Sequence, residues 1–169
     1  MQDEAKAEML LYKVISHPKE VVREKALEIL VLRESEYFEK LFQLVKDPSE
    51  KIKSRVLSYL SGFRSKIIEK LFIEYMSGDV FQKQERDHIT ACYEVLGKCG
   101  SDYSVENLEK ILFGQPWNFV SGTGVPVHRQ GAAVALAKIK TTASLMALNK
   151  AESSSVPHIH KAWKLATGN

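Results

Sequence analysis

Two stretches of the sequence, thirty residues apart, have the same order of residue types: HPKEVVR at residues 17–23 and DPSEKIK at residues 47–53. Each has a proline, then charged residues, then a β-branched residue followed by a basic one. A small or β-branched residue follows three positions later, at Ala26 and Val56, and Leu30 matches Leu60 in the same frame. Self-similarity at a fixed period of this size is typical of repeat proteins. We therefore predict that the chain is built from repeats.

Three weaker copies continue this frame towards the C-terminus. They repeat the slots of Val22, Ala26 and Leu30 with His88, Cys92 and Leu96, then His128, Ala132 and Leu136, then His158, Ala162 and Ala166. The spacing between copies grows to 36 and 40 residues and returns to 30. We interpret the longer spacings as insertions in the connections between helices, where insertions are tolerated.

Each copy is predicted to be a pair of antiparallel helices. Apolar residues recur three and four positions apart, with no sustained alternation of period two, which indicates helix rather than strand. Proline at the turn suits the start of a helix and cannot continue the preceding one. The predicted first helices lie near 4–15, 35–46, 65–77, 103–113 and 142–151, and the second helices near 20–32, 50–62, 85–98, 127–139 and 157–166.

A single pair cannot bury its apolar stripe, whereas stacked pairs can. We therefore predict an all-α fold: an α-solenoid of about five helix pairs in a right-handed superhelix. The repeats lie near 4–32, 35–62, 65–98, 103–139 and 142–166, in one domain over residues 1–169. In the first copy we place the core at positions 22, 26, 29 and 30. The alternative is a globular helical bundle without true repeats.

Composition restricts the class of protein. Hydrophobic residues make up 44% and charged residues 27% of 169 residues, which excludes a disordered tail. Two cysteines, Cys92 and Cys99, cannot form a disulfide framework. No signal peptide is recognisable, and no apolar run approaches the roughly 20 residues of a membrane span. We expect a cytoplasmic protein without membrane contact.

The charge is unevenly distributed. The net charge is +3, yet residues 110–169 hold seven Lys and Arg residues against one acid, Glu152. A net charge this small does not by itself argue for nucleic acid. The basic C-terminal third nevertheless makes nucleic acid an alternative partner.

Two segments carry a resemblance to a known family. Asp47-Pro48, Ile52-Lys53 and Val56, and the segment Val127–Ile139, resemble HEAT repeats, in particular the bacterial subgroup also found in phycobilisome-lyase-like proteins. The third and fifth copies depart from the family pattern, with His88-Ile89 and His158-Ile159 in place of Val-Arg. The resemblance implies a bacterial ARM-like α-solenoid that acts as a binding scaffold, although a few members are lyases or DNA glycosylases.

The outward row of the second helices is the first candidate binding surface. With about 100° per residue, the positions opposite the core form a row from acidic to basic. We predict that this inner face binds an extended peptide or another protein, and the alternative is a solvated surface without a role. The row residues are Glu24, Glu28, Ser54, Ser58, Thr90, Glu94, Gln130, Val134, His160 and Lys164.

The long connection between residues 114 and 126 is the second candidate, since it carries Trp117 and Phe119. Loops longer than about 12 residues are usually functional or disordered, and aromatic residues dominate binding hot spots. The alternative is that both aromatic side chains cover an edge of the solenoid.

Catalytic and metal-binding patterns are missing from the sequence. No nucleophile elbow, dinucleotide fingerprint, Cys-x-x-Cys or His-Glu-x-x-His motif occurs. His158 and His160 diverge on a helix, and Cys92 and Cys99 are interpreted as buried structural thiols. We therefore predict no enzyme activity, no metal and no cofactor.

Three alternatives stay open. A nucleic-acid-binding module would use the lysines of the basic third: Lys138, Lys140, Lys150, Lys161 and Lys164. An enzyme accessory or lyase-like protein would need a tetrapyrrole or another ligand. The apolar residues Met9-Leu10-Leu11 in the first helix predict self-association, or a longer array of which these repeats are part.

Overall fold

The computed structural model describes residues 2–32, 37–114 and 125–168. These residues contain eleven α-helices and no β-strand. They form two compact units, with the boundary between Leu60 and Ser61. The prediction of an all-α fold is therefore confirmed for the described part of the chain, whereas the stacking of five pairs into one solenoid stays a prediction.

The first unit holds four of the α-helices, and its third helix continues into a short 3-10 turn at Leu44–Lys46. Within it α2 contacts α1, α3 and α4. The helices are α1 (Gln2–Ile15), α2 (Glu20–Leu32), α3 (Phe38–Gln43) and α4 (Glu50–Leu60).

The second unit holds the other seven helices. Six of them match predicted helices, and the short α6 lies where the sequence predicted a connection. The helices are α5 (Lys66–Met76), α6 (Asp79–Gln82), α7 (Arg86–Cys99), α8 (Asp102–Phe113), α9 (Val125–Ile139), α10 (Thr142–Glu152) and α11 (Pro157–Thr167).

The helix ends follow local chemistry. Ser65 and Ser101 cap α5 and α8 through their side chains, and Thr141 forms a capping box with Ser144 at the start of α10. These contacts satisfy backbone N–H groups that have no partner inside the helix. At the other end of the unit, α11 stops at Gly168, which has a φ of 76° and so adopts the left-handed conformation that glycine tolerates.

The second helices bury the same positions in each repeat. Three slots are buried in all five helices, and the fourth is buried in four of them and half-buried at Ala166. This spacing of three, four and seven residues is that of a helix with one apolar face. The slots are Arg23, Lys53, Ile89, Arg129 and Ile159; Ala26, Val56, Cys92, Ala132 and Ala162; Leu27, Leu57, Tyr93, Ala133 and Trp163; and Leu30, Leu60, Leu96, Leu136 and Ala166.

The predicted core face of the first copy is wrong at two of its four positions. Ile29 is 54% exposed and Val22 is only half-buried, whereas Arg23 and Leu27 are buried. The guanidinium of Arg23 is drawn inward by an ion pair with Asp47, so the buried face includes position 23. Hydrophobicity alone could not show this, because a buried arginine depends on its partner.

In the second unit the helices contact one another in two series. The first helices α5, α8 and α10 contact in that order, and the second helices α7, α9 and α11 do the same. Glycine permits the closest approach between α7 and α9. A Cβ atom at Gly131 would lie 2.1 Å from Cδ2 of Tyr93, and one at Gly97 would lie 2.8 Å from Cβ of Lys138.

The short helix α6 contributes an aromatic side chain to the core of the second unit. Phe81 is fully buried and packs edge-to-face against Tyr75, Tyr93 and His128. This connection is therefore part of the core, which its length in sequence did not indicate. None of the described helices combines the length and apolar character that crossing a bilayer requires.

Candidate functional site

The predicted acidic part of the second-helix row is paired within the first unit. Lys51 Nζ lies 2.6 Å from Oε1 of Glu24, and Lys25 Nζ lies 2.8 Å from Oε2 of Glu28. Arg55 lies within 4 Å of both carboxylates. The hydrogen bond from Lys25 lowers the pKa of Glu28. These two acids are already matched by cations, so they do not form an uncompensated acidic surface.

The two serines of this row, Ser54 and Ser58, are exposed on α4. They add no charge to the surface.

On α7 and α9, residues of the row contact side chains of the neighbouring helix. Lys138 Nζ lies 3.6 Å from Oε1 of Glu94, and Nη2 of Arg86 donates to Oε1 of Gln130 at 3.4 Å. The structure therefore brings the predicted residues Glu94 and Gln130 onto one surface, where both contact a basic residue of the neighbouring helix.

The last part of the row, on α11, is basic. His160 donates from Nδ1 to the carbonyl of Glu152 at 2.9 Å and stacks on Trp163 with ring centroids 5.3 Å apart. Lys161 and Lys164 are exposed, and neither makes an ion pair within the described residues. Lys164 is therefore a row residue with an unpaired charge, and Lys161, which is next to the row residue His160 in the chain, adds a second unpaired charge.

The lysines predicted for nucleic acid are in different surroundings. Lys138 pairs with Glu94, and Lys150 lies 3.8 Å from Glu109 and 4.5 Å from the ring centroid of Phe113. Lys140 is exposed after the end of α9, with a φ of 58°. A nucleic acid could therefore contact only some of the predicted lysines without first breaking a contact within the chain.

A buried polar cluster in the second unit was not predicted from the sequence. The hydroxyl of Tyr75 lies 3.1 Å from Nε2 of His88, and Sγ of Cys92 lies 3.6 Å from the same nitrogen. The hydroxyl of Tyr93 lies 3.2 Å from Nδ1 of His128. The sequence places His88 and His128 in the same repeat slot. It did not show that these histidines contact Tyr75 and Tyr93.

Burial favours the neutral form of three side chains in this cluster, His128, Tyr75 and Tyr93. It lowers the pKa of His128 to about 4 and raises the pKa of Tyr75 and of Tyr93 above its ordinary value, in each case because the charged form loses water. Burial also raises the pKa of the Cys99 thiol to about 12. Neutral hydrogen-bonded groups of this kind fix the packing of α7 against α9.

A buried ion pair joins two turns of the first unit. Arg23 donates from Nε to Oδ2 of Asp47 at 2.6 Å and from Nη2 to Oδ1 at 2.9 Å. Its Nη1 donates to the carbonyls of His17 and Pro18 at 2.8 and 3.1 Å. The hydrogen bond to Asp47 raises the pKa of Arg23. An open cavity of about 390 Å³ lies beside this pair.

The corresponding arginine of the second unit has no such partner. Arg129 is 4% exposed and donates from Nη2 to the carbonyl of Gly114, while its Nε makes no hydrogen bond. No carboxylate among the described residues pairs with it. Burial lowers the pKa of Arg129. The sequence analysis did not select this residue, because its repeat slot, which is that of Arg23, was not among the predicted core positions.

Two predicted residues, Trp117 and Phe119, lie outside the described residues, so their predicted role stays a prediction. Within the described ranges no group of three or more His, Cys, Asp or Glu side chains could hold a metal ion. His128 is buried and hydrogen-bonded, whereas His158 is exposed on α11.

Comparison of the chain with protein-family models and with curated proteins finds no match to either.

Proposed function

We propose that this chain is a non-catalytic protein-binding scaffold of the HEAT-like α-solenoid type. Two observations support the architecture. The five second helices bury the same slots, and in the second unit first helices contact first helices while second helices contact second helices. Stacked helix pairs of this kind present an extended surface, which solenoid proteins use for binding.

The binding surface that we propose is the second-helix face of α7, α9 and α11. One observation carries this choice: the acidic residues of the predicted row are paired internally, while Lys161 and Lys164 on α11 are exposed and unpaired. Complementary charge steers association and selects partners. The proposed partner is therefore a protein segment rich in Asp and Glu.

Nucleic acid is the second candidate partner, favoured by the exposed lysines Lys140, Lys161 and Lys164. Binding through phosphates needs several cations and weakens steeply with salt. Lys138 and Lys150 are engaged by Glu94 and Glu109, and the net charge is only +3. An acidic protein segment requires fewer free cations, so we favour it.

The test uses two fluorescent probes, a short Glu-rich peptide and a short DNA duplex, titrated with the whole chain in a series of NaCl concentrations. The double variant Lys161→Glu/Lys164→Glu should lose peptide binding. The matched control Lys66→Glu/Lys83→Glu changes charge equally at exposed positions outside this face and should retain it.

Equal losses in both double variants would contradict the proposed face, because they would indicate an effect of net charge alone. Tight DNA binding that falls steeply with salt, without peptide binding, would favour the nucleic-acid function instead. Absence of binding to either probe would count against both.

A further inference from the structure

One face of helix α2 carries an exposed apolar stripe. Ile29 is 54% exposed and Leu32 is 83% exposed, Val22 is half-buried, and Lys25 lies between them in the chain. Spacings of three, four and three residues place these positions on one face of a helix. We call Val22, Lys25, Ile29 and Leu32 the open stripe, and the exposed Val21 adjoins it. Exposed apolar surface of this kind marks interaction sites when it is contiguous.

In the second repeat the same slots contact the preceding second helix. Lys25 and Ile29 correspond to Arg55 and Tyr59 on α4. Arg55 lies 3.8 and 3.9 Å from two carboxylates of α2, and the hydroxyl of Tyr59 donates to the carbonyl of Val31 at 3.0 Å. These slots of α4 therefore face α2.

The fourth repeat uses the slots in the same way. Gly131, Ala135 and Lys138 of α9 correspond to the last three positions of the open stripe, and they face α7. A Cβ atom added at Gly131 would strike the ring of Tyr93, and one added at Gly97 would meet Lys138 and Ala135. Ala135 is fully buried, whereas the same slot of α2 is exposed. The open stripe is thus a helix-packing surface on which, among the described residues, no second helix is packed.

Charge argues against a head-to-tail contact with α11 of another copy. The slots that face the following second helix are acidic on α2, at Glu24 and Glu28, where they meet basic residues of α4. The same two slots of α11 hold His160 and Lys164. Helix α11 would therefore bring positive charge to Lys25 of the open stripe and no carboxylate to pair with it. Apolar Ile29 and Leu32 call for an apolar surface instead.

We propose that the open stripe is the interface of a symmetric dimer, in which α2 packs against α2 of a second copy. In a two-fold contact the same patch serves both copies, so the apolar side chains of one stripe are covered by those of the other. Lys25 Nζ lies 2.8 Å from Oε2 of Glu28 on its own helix. Its charge is therefore already compensated, and its aliphatic stem is free to pack along the second copy.

This interface lies on α2 in the first unit, whereas the proposed binding face lies on α7, α9 and α11. The two proposals therefore do not depend on each other. The sequence predicted self-association from Met9-Leu10-Leu11 in the first helix, and the repeat slots assign the contact to the second helix instead.

The first test is sedimentation equilibrium of the whole chain at a series of concentrations. The average mass should rise with concentration from 19.1 kDa to twice that value and no further. The double variant Ile29→Lys/Leu32→Lys should raise the dimer Kd by about a hundredfold or more, as expected when two apolar side chains in an interface are replaced by charges. The matched control Ile67→Lys/Val80→Lys changes two exposed apolar residues of the second unit and should leave the Kd unchanged.

A wild-type chain that stays monomeric at every concentration would overturn the proposal and indicate that a different protein covers the stripe. Equal weakening in both double variants would overturn it too, because charge repulsion alone would then explain the loss. A mass that grows beyond two copies would indicate an open head-to-tail contact, which does not close.

The second test locates the face by cross-linking with a short bis-maleimide. Lys25→Cys, in the middle of the stripe, should give a covalent dimer, because a two-fold contact brings this position close to its own copy. Lys66→Cys, exposed at the start of α5, is the control and should give none. Cys92 and Cys99 are buried, so the wild-type chain should not react. Equal cross-linking of the two variants would overturn the assignment to α2.

Discussion

Tyr93 on α7 and His128 on α9 meet through a hydrogen bond of 3.2 Å between the phenolic oxygen and Nδ1. The tyrosine is 1% exposed and the histidine is fully buried, with Phe81 packed against both rings. The contact joins residues 35 positions apart in the chain. It links the two helices at the centre of the second unit through polar groups that must stay neutral.

The first prediction concerns the pH dependence of stability. Burial lowers the pKa of His128 to about 4 in the folded chain, whereas an unfolded histidine has a pKa of about 6.5. Between these values the unfolded state binds more protons, so stability falls as the pH falls from about 6.5 towards 4. From about pH 7 to about pH 5 the free energy of unfolding should drop by about 2 kcal/mol from this residue.

Urea unfolding followed by tryptophan fluorescence measures this drop, since Trp163 belongs to the second unit and the first unit contains no tryptophan. His128→Gln should lose most of the difference between the two pH values, and His160→Gln should retain it. An equal pH dependence in wild type and His128→Gln would refute the prediction.

The second prediction concerns the buried ion pair of the first unit. Asp47→Asn leaves the buried guanidinium of Arg23 without its anion, so the unit should lose about 3–5 kcal/mol of stability. Because the first unit contains no tryptophan, hydrogen exchange of its peptides is the suitable readout.

The control for this variant is Glu28→Gln, which breaks the exposed pair with Lys25. Exposed pairs contribute little to stability because water screens the charges, so exchange should hardly change. If the amides of the first unit were equally protected from exchange in Asp47→Asn and in Glu28→Gln, the Arg23–Asp47 ion pair would not have the stabilising role that its geometry indicates.

The third prediction concerns the close approach of α7 and α9. Gly131→Ala would place a Cβ atom 2.1 Å from Cδ2 of Tyr93. The helix gains about 1 kcal/mol from alanine, but overpacking costs about 1–3 kcal/mol, so we expect net destabilisation. The urea midpoint followed by tryptophan fluorescence should fall.

Two further variants test the cause. At Gly78 an added Cβ meets only the carbonyl of Tyr75, at an ordinary 3.5 Å, so Gly78→Ala should be nearly neutral. Adding Tyr93→Leu to Gly131→Ala removes the aromatic ring that the new Cβ atom would contact. The double variant should therefore recover part of the stability lost in Gly131→Ala. A double variant whose stability equals the sum of the separate losses would argue against a clash.

The fourth prediction concerns the start of α8. The buried carboxylate of Glu69 accepts hydrogen bonds from the backbone N of Ser101 at 2.7 Å, from its hydroxyl at 3.0 Å, and from the hydroxyl of Ser104. Glu69→Gln removes the charge and replaces one acceptor by a donor, so the second unit should lose about 1–3 kcal/mol.

Glu74→Gln is the matched control, because Glu74 lies on the same helix and makes only an exposed pair with Lys70 at 3.8 Å. Urea unfolding of both variants gives the comparison. Equal midpoints would show that the carboxylate of Glu69 does not anchor α8.

The sequence predicted the positions of the helices well, because apolar spacing, proline and glycine act locally along the chain. Every predicted helix is present, although α3 begins at Phe38 rather than near residue 35. The small slots at Ala26, Cys92 and Ala132 are buried, as the repeat frame indicated. Their burial follows from periodicity, which one sequence is enough to reveal.

The burial of some individual side chains could not be predicted, because it depends on which helices pack against one another. The exposed Ile29, the buried Arg23 and the core position of Phe81 each contradict what residue type or connection length suggested. The same slot holds an arginine in the first and fourth repeats, yet one arginine is paired and the other is not. Such differences arise from contacts between residues far apart in the chain.

The order of amino acids alone was therefore sufficient for the helical class and for the approximate positions of ten of the eleven described helices, since these depend on hydrogen bonds and burial within a few turns. The packed chain was needed to show that Glu24 and Glu28 are paired with cations, that burial lowers the pKa of His128, and that no carboxylate among the described residues pairs with Arg129. Those properties depend on distance and on the loss of water, which exist only after remote segments have come together.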